Sequence, residues 1–135
     1  MNVLIKSATI IDSKSAFHNK NQDILIENGL ITQIADSIEN SNSYNEISKN
    51  NLHISQGWFD SSVCFGEPGF EERETIHNGI MTAAKSGFTA VAVNANTYPI
   101  IDSHSDVYFL KSKAKDNLVD LLPIGALTMN SDGKD

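Results

Sequence analysis

The chain has 135 residues, the length of one ordinary domain, with 40% apolar and 20% charged residues, a globular rather than a disordered composition. Ten Lys and Arg stand against seventeen Asp and Glu, a formal charge of −7. That balance excludes a general nucleic-acid binder, which needs a basic face to release counterions, and docking on an anionic membrane.

The opening segment MNVLIKSATIID has one Lys and only a short alternating apolar stretch, so it does not read as a signal peptide. No apolar run approaches the roughly 20 residues that span a bilayer. One Cys excludes an internal disulfide framework, and the cytoplasm is the expected compartment.

The first third reads as β-hairpins. Val3 and Ile5, then Ile10 and Ile11, are apolar runs with polar residues between, and residues 13–22 are turn-rich. DILI and LITQI flank Glu27-Asn28-Gly29, and Asn-Gly between two apolar runs is a type I′ hairpin signal because both central residues need φ > 0. Residues 36–51 are rich in Asn and Ser and predict a loop with one strand around Ile47.

The texture changes near residue 52. NLHIS predicts a strand and QGWFDSSVCF a second. Residues 71–85 fit a helix: Ile76, Ile80 and Ala83/Ala84 recur at helical spacing, and acidic residues crowd the predicted first turn. Gly87 is the predicted stop after Ser86. FTAVAV (88–93) is a continuous apolar run that suits a strand buried on both faces. Asp102 or Ser103 caps a second helix bearing Val107, Leu110 and Ala114. VDLLPIGAL (119–127) is the third strand of the series, interrupted by Pro123. Residues 57–127 therefore read β-α-β-α-β, which implies a parallel sheet with right-handed crossovers. Three parallel strands leave open edges and an uncovered face, so the chain is expected to be the front part of a longer protein, and to self-associate when isolated.

The stretch Gln56 to Gly69 (QGWFDSSVCFGEPG) resembles the first barrel strand of the dihydroorotases, members of the amidohydrolase superfamily, whose pattern there is close to PGxIDxHxHxREPG. Phe70-Glu71 with Thr75-Ile76 and Gly79 resembles the family's FE…ETI..G helix. Gly87-Phe88-Thr89-Ala90-Val91 resembles its GGFT.V strand, and Asn96-Thr97-Tyr98-Pro99 with Asp102 its PNT.P..D loop. The resemblance covers the whole chain. It implies an α/β fold with two parts: a small N-terminal β-sandwich portion over 1–55, and over 56–135 the first β-α-β-α-β units of a TIM-type (β/α)8 barrel. That barrel is left incomplete, because such barrels take about 250 residues.

For the chemistry the resemblance implies a loss. In the family the two HxH histidines bind the catalytic metal, zinc in active relatives. Residues at i and i+2 of a strand share a face, so two imidazoles there can converge on one ion. Ser62 and Cys64 stand at those positions. A hydroxyl is a poor zinc ligand, and one thiolate does not make a site. The family's arginine pairs bidentately with the substrate carboxylate, and its position here is Gly66. Asp60 and Glu67-Pro68-Gly69 are kept. Asn96 matches the family's substrate-contacting Asn, although a turn or cap role suits it equally. The family's remaining ligands come from later strands, after the end of this chain.

None of the four histidines, His18, His53, His77 and His104, has metal-ligand spacing to another. Cys64 reads as a small buried hydrophobe, because no basic neighbour in sequence would activate it as a nucleophile. Trp58 and Phe59 read as core or strand-entry aromatics.

The expectation is a dihydroorotase-like chain that holds no cofactor and has no catalytic residues of its own. It would keep the fold for a structural or partner-binding role, as a homo-oligomer or with an active paralogue or aspartate transcarbamoylase. The alternative is an active metal-dependent cyclic amidohydrolase with an altered metal site, using Cys64 and ligands from later strands on a substrate without the carboxylate. Neither reading involves nucleic acid or membrane.

Overall fold

A computed structural model describes residues 2–134. Chain contacts divide it into two units, the first ending at Gln56 and the second starting at Gly57.

The first unit holds β1 (Val3–Ile11), β2 (Asn21–Glu27), β3 (Leu30–Ala35), β4 (Asn45–Ser48) and β5 (His53–Ser55). The predicted hairpin joins β2 to β3, with Asn28 at φ 53° and Gly29 at φ 81°, as a type I′ turn requires. The two apolar runs of the opening segment form one strand instead of two. Ser7 sits at φ 53°, and the β1–β2 register shifts between Ile5 and Ala8. This bulge adds one residue, so Val3 and Ile5 before it and Ala8 and Ile10 after it all reach the same core with Ile24.

Hairpins are not the whole pattern of this unit. β1 pairs antiparallel with β2, and it also pairs in parallel with β4 through residues 3–6 and with β5 through residues 9–11. The portion expected as a β-sandwich is thus one five-stranded mixed sheet in the order β3-β2-β1-β4, with β5 also on β1. The nine-residue β1 is long enough to serve both short strands in turn, one on each side of its bulge.

The second unit holds β6 (Trp58–Val63), α1 (Ile76–Lys85), β7 (Phe88–Val93), α2 (His104–Lys113), β8 (Asp120–Pro123) and a short 3-10 turn (Met129–Ser131). The β-α-β-α-β expectation holds: β6, β7 and β8 form a parallel sheet in chain order. Phe65, Ile76, Ile80, Val91, Val93 and Leu110 belong to its core. The sheet does not close into a barrel among the described residues.

Several boundaries and one burial pattern differ from the sequence expectation. α1 starts at Ile76 rather than 71, so the acidic Glu71, Glu72 and Glu74 precede it. The Thr75 side chain accepts from Asn78 N, and the Glu67 carboxylate accepts from Ile76 N at 3.0 Å; these satisfy orphan amides and set the first turn there. β8 ends at Pro123, whose missing N–H cannot continue a ladder. In β7 only Val91, Ala92 and Val93 are buried; Thr89 is exposed and Phe88 and Ala90 are half-buried, so the first half of the strand is not covered on both faces. Trp58 and Phe59, 59% and 56% exposed, are strand-entry residues and not core; Trp58 meets Phe88 edge to face. Gly87 follows the Ser86 cap at φ 89°, and Ser103 caps α2 through a reciprocal bond with Asp106, both as expected. No described helix is long and apolar enough to cross a membrane.

Candidate functional site

Parallel strands end in loops at one edge of their sheet, and that edge is where α/β folds place their sites. At the end of β6 the chain presents Ser62 and, two residues on, Cys64. The last rung of the β6–β7 ladder pairs Val63 with Val93, and Asn94 N donates to Val63 O at 2.9 Å. That rung brings the loop after β7 alongside the loop after β6.

The side chains converge there. Asn94 Nδ2 donates to Ser62 Oγ at 3.0 Å and approaches Cys64 Sγ at 3.5 Å. Asn96 Nδ2 donates to Cys64 Sγ at 3.2 Å. The retained Asp60 accepts from Ser62 N at 3.0 Å, which shapes the strand end locally. The structure therefore gathers Ser62, Cys64 and Asn96, three positions singled out from sequence, and adds Asn94. The signal for Asn94 was period-two alternation: Ala90, Ala92 and Asn94 share one face of the β7 run.

Cys64 is exposed, which corrects the expectation of a small buried hydrophobe. It lies one residue past the end of β6, on the strand-end rim rather than in the helix-covered core that takes Phe65.

The set is linked by side-chain hydrogen bonds, and its groups do not fit zinc. Ser62 offers a hydroxyl, Cys64 one sulfur, and both asparagines turn N–H groups, which are donors and not ligands, toward their partners. No group of three or more His, Cys, Asp or Glu that could hold a metal occurs among the described residues. The histidines are scattered. His18 Nδ1 accepts from Asp12 N at 3.1 Å, His53 Nδ1 meets Asn51 O at 2.9 Å, His77 lies in α1, and His104 opens α2.

Gly66 is buried at a backbone junction. Its N–H donates to Glu74 O at 2.9 Å, and its carbonyl accepts from Phe70 N at 2.8 Å. A Cβ at Gly66 would lie 1.9 Å from Phe70 O, so this backbone admits no side chain there. The chain's single arginine, Arg73, stacks on the Phe70 ring at 4.5 Å.

The neighbouring Glu67 works for the fold. Besides its bond to Ile76 N, it pairs with Lys113 Nζ at 3.1 Å. Gly69 has φ +94° and donates to Glu71 Oε1 at 3.0 Å, a bond that holds the Glu71 carboxyl below its ordinary range.

Comparison with known proteins agrees with this architecture. A family model described as "Dihydro-orotase-like" matches residues 53–135. The chain is 37% identical over 134 residues to the dihydroorotase of Acetivibrio thermocellus, covering 98% of this chain and 31% of that protein. It is 34% identical over 135 residues to the dihydroorotase of Citrifermentans bemidjiense, covering 99% and 32%. The chain thus spans about a third of the length of these curated relatives. Among solved structures, an L-hydantoinase (dihydropyrimidinase) from Arthrobacter aurescens superimposes with a TM-score of 0.76 at 21% identity, over 96% of this chain and 29% of that one. A dihydroorotase crystal structure gives 0.67 at 12% identity, over 96% and 32%. At these identities the likeness is one of fold.

Proposed function

Because this chain belongs to the dihydroorotase-like family, we propose that it is a non-catalytic member, a piece of amidohydrolase scaffold kept for a structural or partner-binding role in pyrimidine biosynthesis. The observation that carries this reading is the hydrogen-bonded set at the strand ends. The Asn94 and Asn96 amides donate to Ser62 and Cys64 there, and the set supplies one sulfur where a metal-activated hydrolysis needs several convergent ligands. Gly66 supports it independently, because the position that the resemblance assigns to a carboxylate-pairing arginine is spent on a backbone junction.

The partner is a second copy of the chain, an active paralogue or aspartate transcarbamoylase. Exposed Trp58, Phe59, Leu122 and Ile124 on and beside β6 and β8 support an assembly that covers this sheet. The free thiol of Cys64 and the absence of a spanning helix among the described residues are consistent with the cytoplasm.

A second reading rests on the exposure of Cys64, which leaves its sulfur available to a metal whose other ligands lie outside this chain. That arrangement would serve an active cyclic amidohydrolase acting on a substrate without a carboxylate. Zinc content per chain, measured on the full-length gene product with the later strands that would carry those ligands, after supply of zinc and removal of excess, separates the two. The non-catalytic reading expects no retained zinc and no ring opening of dihydroorotate. Stoichiometric zinc with turnover of any cyclic amide overturns it. Light scattering in dilute solution tests self-association, for which a strictly monomeric, cooperatively folded chain is the adverse result.

A further inference from the structure

We infer that the segment Gly66-Glu67-Pro68-Gly69 is a positioning element that sets the contact between Cys64 and Asn96. Its four residues hold the loop after β6 in three ways: on itself, to the two helices and to Tyr98. Gly66 closes the loop on itself through Glu74 O and Phe70 N, in space that no side chain could share. Glu67 reaches both helices, accepting from Ile76 N at the start of α1 and pairing with Lys113 in the last turn of α2. The Pro68 carbonyl accepts from Tyr98 N at 3.0 Å. Gly69 lies so close to the same residue that a Cβ would stand 2.0 Å from Tyr98 O.

Tyr98 is the second residue after Asn96, and Gly66 is the second after Cys64. The two loops are therefore clasped at Pro68 and Gly69, a few residues from the point where Asn96 Nδ2 meets Cys64 Sγ at 3.2 Å. A displacement of the clasp reaches that contact over two residues of chain on the Asn96 side. None of Glu67, Pro68 and Gly69 is among the hydrogen-bond partners of Cys64 or Asn96, so they act as positioning residues. This also accounts for a puzzle in the motif. Glu67-Pro68-Gly69 stands intact beside the altered Ser62, Cys64 and Gly66 because it serves the loops rather than a ligand. The inference goes beyond the non-catalytic reading and holds whether or not the site binds a metal.

The test is the side-chain amide resonance of Asn96 in a ¹H–¹⁵N spectrum of the full chain, assigned by its disappearance in Asn96→Ala. Cys64→Ala defines where the resonance falls once the contact is gone. Gly69→Ala should move it more than half of the way to that position, while the backbone amides of Val91 and Val93 stay in place. Glu67→Ala should move it in the same direction. Glu67→Gln, which keeps an acceptor for Ile76 N, should return it close to the wild-type position. If Gly69→Ala does not fold, the Glu67 pair decides. An Asn96 resonance that stays put in Glu67→Ala, or that moves only together with Val91 and Val93, overturns the inference.

Discussion

Replacing Asp23 by Asn should remove the strongest polar tie in the first unit. Asp23 is 2% exposed, and three donors converge on its carboxylate. Ser7 N reaches Oδ1 at 2.8 Å, Ile38 N reaches Oδ2 at 2.9 Å, and Lys6 Nζ pairs with Oδ2. Lys6 also donates to Ile38 O at 2.9 Å. One carboxylate thus holds the β1 bulge, β2 and the segment after β3. An amide keeps one acceptor and turns an N–H group toward donors. Hydrogen bonds to a charged group contribute about 1.5–3 kcal/mol each, and breaking a buried pair costs about 3–5 kcal/mol. Lys6 keeps 24% of its side chain exposed and can turn to water, so we expect the lower end, about 3 kcal/mol.

At a urea slope of about 1–3 kcal/mol per molar, that loss lowers the unfolding midpoint by about 1–3 M. The pH dependence gives a second readout. Burial pushes the Asp23 carboxyl up, but the Lys6 ammonium and the Ser7 and Ile38 amides outweigh it and hold the group below its ordinary value. A carboxyl depressed in the folded state contributes stability above its unfolded value, near 4, and loses it as pH falls through the folded one. The wild type should therefore lose this contribution below about pH 4, and Asp23→Asn should lack that component. Urea titrations from pH 7 to pH 2 measure both. Equal midpoints for the two proteins at pH 7, or equal acid sensitivity, would refute the reasoning.

Three further outcomes follow from the second unit. Leu110 is fully buried where α2 meets the core, and Leu110→Ala should cost about 2–5 kcal/mol in urea unfolding followed by circular dichroism. Thr75→Ala removes an acceptor from Asn78 N and should cost up to about 1 kcal/mol, because Glu67 still holds Ile76 N; the double variant with Glu67→Ala should lose more than Thr75→Ala alone. Gly66→Ala places a methyl against the Phe70 carbonyl and should cost about 3 kcal/mol or more, so Gly66→Arg should fail to yield folded protein at all, as read by expression and size-exclusion chromatography.

Much of this architecture is local and could be read along the chain. Asn28-Gly29 demands positive φ at two successive residues, and that is a hairpin wherever it occurs between apolar runs. Ile76 and Ile80 lie one helical turn apart, and Ser103 with Asp106 forms a cap within four residues. The β-α-β-α-β order needed only such signals and the rule for crossovers. Ser62, Cys64, Gly66 and Asn96 are marked along the chain because they lie within the stretches that resemble the dihydroorotase motifs.

Long-range contacts decided the remainder. The parallel pairing of β1 with β4 and β5 joins residues about forty apart, and neither short strand advertises its partner. The bulge at Ser7 breaks the two-residue period that marks a strand, and it is held by Asp23, 16 residues away. α1 begins late because Glu67, nine residues upstream, caps it. Asn94 joins the site only because the β6–β7 register sets it beside Ser62, 32 residues earlier. Nothing in the residue Gly66 says that its missing side chain is required; the Phe70 carbonyl that excludes it comes near only when the loop closes. Periodicity and turn chemistry act over a few neighbouring residues, whereas these contacts exist only once the chain has folded back on itself.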